Sequence, residues 1–502
     1  MRASGTHLAA AESPRRLTRL GNGALAILAT LVGGSWLVGA LAHIDDGRSV
    51  DHVAGTWMAL ATAANAGTLY PPLADDGFFG GTRFAPLPIV LQAGAARISG
   101  EYLVSAKVLG LALAAVLLVL TYVAVRRASG GTPIALVLAS SLLVSGTGLA
   151  VTTGIRNDAL ALVMQLAAIL LVAHRRTRGT VPLAGVLCAL AVAAKLSAVW
   201  APLAIGVWLL RRDRRELARF AGLMAGTLVL VFGVFETLSA GRLSDNLVGL
   251  TLTAPDRLGS LDAQVARLRA IATEGLGLLT LVVILAAVAT VLAAVRRRTT
   301  LAELSFAAAC LVTFLVILDP GAFVNHVLDV QVLALPVVGR LWREAGSAGQ
   351  TSLVVRGVVL LAILVGIAVS YRENVNPRAD LRALATGRTA PADRLPPLAG
   401  RLGKDERVLS EDPTIPVLRG QRPVVLDPYM LIAVLEKHPE AREELVGRIE
   451  AGEFGKIVLF HVPVSSPDWY RNIHLGSTVV AAIESRYRPT VNADGYWLYE
   501  PR

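Results

Sequence analysis

The stretch His43–Pro88, HIDDGRSVDHVAGTWMALATAANAGTLYPPLADDGFFGGTRFAPLP, decides how the rest of this chain is read. It follows the first long apolar segment, precedes the second, and gathers Asp45, Asp46, Asp51, Asp75 and Asp76 with two histidines and Arg83. Within it, Val50–Ala66 is helix-compatible, with Val53, Trp57, Leu60 and Ala64 on one stripe. That pattern predicts a helix lying in a membrane interface rather than crossing it. Gly67 ends this helix, Tyr70-Pro71-Pro72 begins an extended turn, and Pro86 and Pro88 lead into a second short apolar helix.

Outward from this loop the chain is membrane-like. Apolar residues make up 54% and charged residues 17% of the 502 residues, and mean hydropathy is +0.58. Apolar runs of about 20 residues match the length a helix needs to cross a hydrocarbon core. The runs fall at 23–43, 103–125, 132–151, 158–174, 181–210, 217–238, 275–295, 302–318, 327–342 and 353–370. Splitting 181–210 into two short spans around Lys195–Ser197 gives eleven transmembrane helices.

Charge supports the split. Arginines cluster at Arg15–Arg16–Arg19, Arg126–Arg127, Arg175–Arg176–Arg178, Arg211–Arg212–Arg214–Arg215, Arg296–Arg297–Arg298 and Arg340–Arg343. With eleven spans and a cytoplasmic N-terminus, every cluster falls on the cytoplasmic side, as the positive-inside bias requires. The formal net charge of +11 is then a topology signal, and no nucleic-acid partner is needed to explain it. The first 20 residues lack a signal-peptide cleavage pattern, so the first span is expected to stay as an anchor. Cys188 and Cys310 both fall in predicted spans, with no disulfide framework or metal spacing.

The domains expected are a membrane unit over 1–370, a partly helical linker over 371–404 and an extracytoplasmic α/β domain over 405–502. In the last, Arg407–Ser410, Pro423–Leu426 and Lys456–Val462 read as strands and Tyr429–Glu450 as one helix. Tyr487–Thr490 and Gly495–Tyr499 form a hairpin around Asn492-Ala493-Asp494-Gly495.

Chemistry-bearing residues concentrate on the predicted outer face. One short loop carries Gly154-Ile155-Arg156-Asn157-Asp158, where Asp158 suits either a helix cap or a substrate contact. Lys195 interrupts an apolar run and either snorkels to the surface or meets a carboxylate or phosphate. A larger loop over 239–273 holds Arg242, Asp245, Asn246, Asp256 and Arg257, and its Asp262–Ile271 part reads as an amphipathic surface helix. A further loop carries Asp319, Asn325, His326 and Asp329. There is no GxxxxGK[ST], no GxGxxG between strand and helix, no HExxH and no paired CxxC. Nucleotide-driven chemistry is therefore disfavoured.

This ordered set resembles the GT-C class of membrane glycosyltransferases, of the protein-mannosyltransferase and aminoarabinose-transferase kind. The resemblance rests on four stretches. They are Asp51 with the helix through Ala66; Gly67-Thr68-Leu69-Tyr70 with Arg83-Phe84-Ala85-Pro86-Leu87-Pro88; LAGVLCALAVAAKLSAVWAPLA around Lys195; and Asn325-His326-Val327-Leu328, similar to an Asn-Tyr-Leu-Leu-type motif. Where the class often has Asp-Glu and Asn-Tyr, this chain has Asp51-His52 and Asn325-His326.

The resemblance implies an inverting transfer of a sugar from a polyprenyl-phosphate donor, a membrane lipid, to a cell-envelope glycan, lipid or protein on the outer face. Asp51 is then the base, with Asp45 or Asp46 as the alternative. Arg83, Arg156 and Lys195 would hold the donor phosphate, and Tyr70, Asp158, Asn325 and His326 would contact substrate. The alternative for Asp51 is the N-cap of its helix, and for Asn325 and His326 a cap on the next span. Asp75 and Asp76 either orient the acceptor or sit in solvated loop. No cofactor is implied with certainty. Some members of the class use a divalent cation, for which clustered aspartates supply suitable oxygen ligands. The competing reading is a polytopic lipid or solute transporter. Transporters usually place ionisable groups near the bilayer midplane and often show inverted repeats, whereas here the charges gather at one face.

Overall fold

The computed structural model describes residues 6–47, 50–75, 77–174, 179–250, 261–319, 321–346, 350–386, 397–403, 406–493 and 495–502. The cluster Arg175, Arg176 and Arg178, the loop residues Asp256 and Arg257, and Asp76 and Asp494 lie outside the described residues.

Each stretch expected to cross the membrane is helical. The chain opens with α1 (Thr6–Ala42), passes through loop helices α2 (His52–Asn65) and α3 (Pro86–Ser99), and returns to the bundle as α4 (Tyr102–Ser129). Next come α5 (Thr132–Ser140), α6 (Gly146–Thr152), α7 (Asp158–His174), α8 (Thr180–Ala194), α9 (Trp200–Leu210) and α10 (Arg214–Leu238). The bundle closes with α11 (Leu261–Leu276), α12 (Thr280–Val295), α13 (Leu301–Ile317), α14 (Leu328–Ala345) and α15 (Gln350–Asn374).

Among the described residues, six helical stretches are long and apolar enough to cross a bilayer, or seven if the bent 132–152 segment counts as one span. Helices α7, α8, α9 and α13 are apolar but shorter. The outward faces are apolar: Val229 is 75% and Val295 76% exposed. Such faces need lipid, not water, around them. The chain is a multi-pass membrane protein.

Local chemistry sets the breaks. Helix α8 stops because Lys195 turns extended, at φ −155° and ψ 117°. The 75° bend between α5 and α6 depends on Gly148, where a Cβ would lie 1.6 Å from the Leu142 carbonyl oxygen. Ser145 caps α6 and donates to Gln331 of α14 at 2.9 Å. Helix α14 is the axis of the bundle, packed by α4, α12, α13 and α15.

The first loop is not a surface feature. Ala54 to Ala61 of α2 are all buried, so the helix does not float in an interface on its apolar stripe. The C-terminal domain covers its other face: the Thr56 hydroxyl donates to Leu426 O at 2.9 Å, and Gly55 lies against Pro413 and Thr414. The loop's hairpin, β1 (Ala74–Asp75) and β2 (Phe78–Phe79), continues the join. Phe79 N donates to Val424 O at 2.8 Å, and Leu426 N donates to Phe79 O at 2.9 Å. Pro423–Leu426, expected as a strand of the terminal sheet, therefore pairs with the loop, whose two-residue hairpin offers it backbone partners. The Phe79 side chain is wholly buried in the terminal domain's own core.

After α15 the short α16 (Pro377–Thr386) packs on α1. The terminal sheet contains β3 (Val408–Ser410), β4 (Lys456–Leu459), β5 (Tyr487–Ala493) and β6 (Tyr496–Pro501), in the order β3-β4-β6-β5. The β3–β4 pair is parallel and the others antiparallel. The helix expected over Tyr429–Glu450 is two, α17 (Pro428–Lys437) and α18 (Pro439–Glu450). Pro439 has no N–H and forces the preceding His438 out of the helical region, to φ −127° and ψ 80°.

The closeness of Gly55 to Thr414 gives a direct test of this seating. An alanine Cβ would lie 2.1 Å from Thr414 N, an overlap with backbone that costs at least about 1–3 kcal/mol. Gly55→Ala should lower the thermal unfolding midpoint of the solubilised protein, and an unchanged midpoint would mean that α2 is not held against this domain.

Candidate active site

Asp51 ends the extended segment before α2 and caps it: Oδ1 accepts from Ala54 N at 3.1 Å. Capping and ion pairing coexist on this side chain, because the second oxygen, Oδ2, accepts from Arg156 Nη2. Arg156 stands in the turn between α6 and α7 with 9% of its side chain exposed, while Asp51 keeps 40% exposed. The Arg156 guanidinium also lies 5.5 Å from the centre of the Phe323 ring. Burial pushes the Asp51 carboxyl up, but Arg156, His52 and the cap hydrogen bond together hold it below the usual carboxylate range. The result is a charged, accessible carboxylate, favoured also by the positive end of the α2 dipole.

Two residues beyond Arg156, Asp158 opens α7. Its Oδ1 accepts from Lys195 Nζ at 2.5 Å and from Asn325 Nδ2 at 2.8 Å. Lys195 Nζ also meets His326 Nδ1 at 3.2 Å. A lysine ammonium can only donate, so Nδ1 is the accepting nitrogen of that imidazole. The helix break at Lys195 thus turns the lysine inward to a carboxylate instead of outward to the surface. Asn325 Oδ1 is buried and accepts no hydrogen bond from the described residues.

Arg83 belongs to a third group. Its Nη2 donates to Asp319 Oδ2 at 3.1 Å, its guanidinium lies 5.1 Å from the centre of the Tyr429 ring, and the Tyr429 hydroxyl donates to Asp319. Burial raises the Asp319 carboxyl, and Arg83 with the Tyr429 hydrogen bond more than offsets it.

The other expected site residues stand apart. Tyr70 is fully buried and donates its hydroxyl to Phe84 O at 2.7 Å, which fastens the loop to itself. Asp45 and Asp46 are 3% and 9% exposed. Lys107 donates to the main-chain oxygens of His43 and Asp46 at 2.6 and 2.7 Å, and His43 lies between Asp46 and Asp380. These contacts secure the junction of α1, α4 and α16. Asp75 lines a cavity of about 860 Å³ beside α2, together with Met58, Thr62, Tyr102, Arg242 and Arg422. Among the described residues, no three His, Cys, Asp or Glu side chains are placed to hold a metal ion.

The C-terminal domain supplies polar residues that sequence reasoning passed over. Glu411 and His474 are buried together at 2.7 Å, and the His474 ring lies edge-on to that of His52, 5.1 Å between centres. The signal available was the acidic pair Glu411-Asp412 directly after the buried strand β3.

The Asp158–Lys195 pair is the sharpest energetic test of this geometry. Removing one partner of a buried pair strands the other charge and costs about 3–5 kcal/mol. Asp158→Leu and Lys195→Met should each destabilise by this order, and the double variant by much less than their sum. Additive losses in a thermal-unfolding cycle would contradict the pairing.

Residues 70–320, half of the chain, match the model of glycosyltransferase family 87. No curated protein sequence matches the chain. Among solved structures it is similar to ArnT from Cupriavidus metallidurans bound to undecaprenyl phosphate, with TM-score 0.58 and 12% identity over 95% of this chain and 98% of that one. The apo form of that protein gives TM-score 0.59 and 12% identity, over 96% and 98%. The oligosaccharyltransferase of Archaeoglobus fulgidus, tethered with an acceptor peptide, gives TM-score 0.50 and 12% identity over 92% of this chain and 72% of that one. At such identities these likenesses speak for the fold, and the fold is that of GT-C enzymes. The chain belongs to glycosyltransferase family 87 and is a membrane glycosyltransferase of the GT-C class.

Proposed function

We propose that the protein moves a sugar from a polyprenyl-phosphate donor to a cell-envelope acceptor with inversion, using Asp51 as the base. The observation that carries this is the meeting of an accessible charged carboxylate with Arg156, whose turn leads directly to the Asp158–Lys195 pair. A lipid phosphate leaving group needs cations and no nucleotide. Arg156 and Lys195 supply them, with Arg83 nearby in the loop. The Asp51 carboxylate takes the acceptor hydroxyl proton as the new C–O bond forms and the phosphate departs from the opposite face of the anomeric carbon. ArnT, which shares the fold, was solved with undecaprenyl phosphate bound, and that supports a donor of this type.

The cavity beside α2 is the proposed place for the body of the acceptor. Met58 and Thr62 follow Asp51 by about seven and eleven residues, the spacing that returns to one helix face. The arginine clusters support the proposed topology: N-terminus cytoplasmic, loops and C-terminal α/β domain outside, eleven spans between. The membrane unit is taken as 1–370, the linker as 371–404 and the outer domain as 405–502. In this proposal Asn325 and His326, tied to Asp158 and Lys195, contact the sugar once the phosphate draws Lys195 away. The acceptor class remains glycan, lipid or protein.

Purified protein should transfer a sugar from one member of a panel of polyprenyl-phosphate hexoses and pentoses. Asp51→Asn should lower kcat by about 10²–10⁴-fold, the usual contribution of a positioned base, and still bind undecaprenyl phosphate. Lys195→Ala should weaken that binding. A variant at Asp51 with wild-type transfer, or a wild-type protein inactive with the whole panel, would overturn the reading.

The pH profile adds an independent check. Arg156 holds the Asp51 carboxyl low, so kcat/KM should persist until pH falls below the ordinary carboxylate range. Arg156→Ala raises that carboxyl, and the acid limb should move to higher pH; an unmoved limb would remove Asp51 as the titrating base.

A further inference from the structure

The terminal domain buries an ionisable group where stability alone gives no reason for one. All four close contacts of the Glu411 carboxylate are donors: His474 Nδ1 at 2.7 Å and Trp469 Nε1 at 2.6 Å on one oxygen, Phe460 N at 2.8 Å and the Tyr470 hydroxyl at 2.9 Å on the other. Glu411 is 1% and His474 2% exposed. Burying such a pair is rarely more favourable than apolar packing of similar volume, and fixed geometry is its best-attested return.

What the pair fixes is the start of α2. With Nδ1 given to Glu411, the His474 ring has one orientation, and it meets the His52 ring edge-on, with Phe460 on another side of His52 at 5.6 Å. His52 is the residue after Asp51. From the same segment as Glu411, the Thr414 hydroxyl donates to the main-chain oxygen of Asp51 at 3.0 Å, and Thr414 N is itself held by Asp412 at 2.8 Å. The main-chain oxygen of Asp51 is thus held by Thr414, and the adjoining His52 ring packs on His474, whose orientation Glu411 sets.

We propose that Glu411, His474 and Thr414 are positioning residues that aim the Asp51 carboxylate at Arg156 and at the incoming acceptor. The inference rests on Asp51 being the base. It makes the C-terminal domain a working part of the catalytic centre, although none of its three residues touches a reacting atom. The groups facing Asp51 are Arg156, His52, Asp412 of the clamping segment, whose own carboxyl Asp51 helps to push up, and, through His52, His474 and Glu411.

The test uses full-length protein with Thr414→Val, Thr414→Ser, Glu411→Gln and His474→Gln. Thr414→Val leaves the buried pair intact, so it remains informative where Glu411→Gln fails to fold. Thr414→Val should lower kcat by about 10–100-fold with an almost unchanged donor KM, the scale of a small misplacement of a catalytic group, and Thr414→Ser should restore it. A second readout needs no turnover: the pH midpoint of carbodiimide labelling at Asp51, read by mass spectrometry. It should rise by about one unit in Thr414→Val as part of the Arg156 contact is lost. Inactivity of wild-type protein with every donor would count against the proposed reaction, while the labelling midpoint still decides the positioning role. Wild-type kcat and labelling midpoint in Thr414→Val, or a kcat loss matched by an equal loss of folded protein, would overturn the inference.

Discussion

The ion pair between Asp51 and Arg156 is the interaction on which the rest of the structure depends. It forms between the first loop and the turn after α6, two segments far apart in sequence, at the end of an apolar bundle. A carboxylate there would otherwise be driven towards its neutral form by desolvation. Arg156 keeps it charged, and the open side of Asp51 leaves it available to a substrate. Behind this pair, Asp158 and Lys195 repeat the arrangement one layer deeper. Each cation has a resident carboxylate, so the site is balanced before any phosphate arrives. In the proposed mechanism a phosphate entering the site competes with the carboxylates for the same donors, and its arrival frees Asp51.

The second constraint is the clamp on α2. A capping aspartate at the start of a short loop helix would ordinarily have considerable freedom. Here the helix is buried along two turns, Gly55 lets the Thr414 backbone approach, and Phe79 of the same loop enters the terminal domain's core. Membrane unit and α/β domain are therefore joined through the segment that carries Asp51. That arrangement accounts for burial around α2 that an isolated interfacial helix would not have.

Much of this was legible in the sequence, and the omissions have physical causes. Hydropathy and arginine spacing marked the helical stretches, including the break at Lys195, because a lysine in an apolar run has few places to go. Asp51, Arg156, Asp158 and Lys195 stood out for the same reason: charge is rare in these segments. Tyr70 was misleading because a buried tyrosine and a substrate-binding one look alike in sequence, and only the Phe84 carbonyl distinguishes them. Asp45 and Asp46 share the acidic cluster with Asp51, yet lie at the end of α1 with Lys107. Of the Glu411–His474 pair, only the acidic half left a signal, Glu411-Asp412 after β3, and nothing pointed to His474. Its partners are separated by more than sixty positions, about the length of two or three supersecondary units, and charged residues are unremarkable in a water-facing domain. Pro423–Leu426, read as a strand, makes only an isolated bridge at Val425, and its partner is Phe79 of the first loop, a non-local pairing that periodicity does not encode.

One measurement bears most directly on the central claim that Asp51, Arg156 and Lys195 form a single phosphate-and-base centre. It is a structure of the protein with undecaprenyl phosphate bound. The account predicts the phosphate within hydrogen-bond reach of Arg156 and Lys195, with Asp51 released from Arg156 and open to the acceptor cavity. A phosphate lodged elsewhere, with the Asp51–Arg156 and Asp158–Lys195 pairs undisturbed, would contradict it.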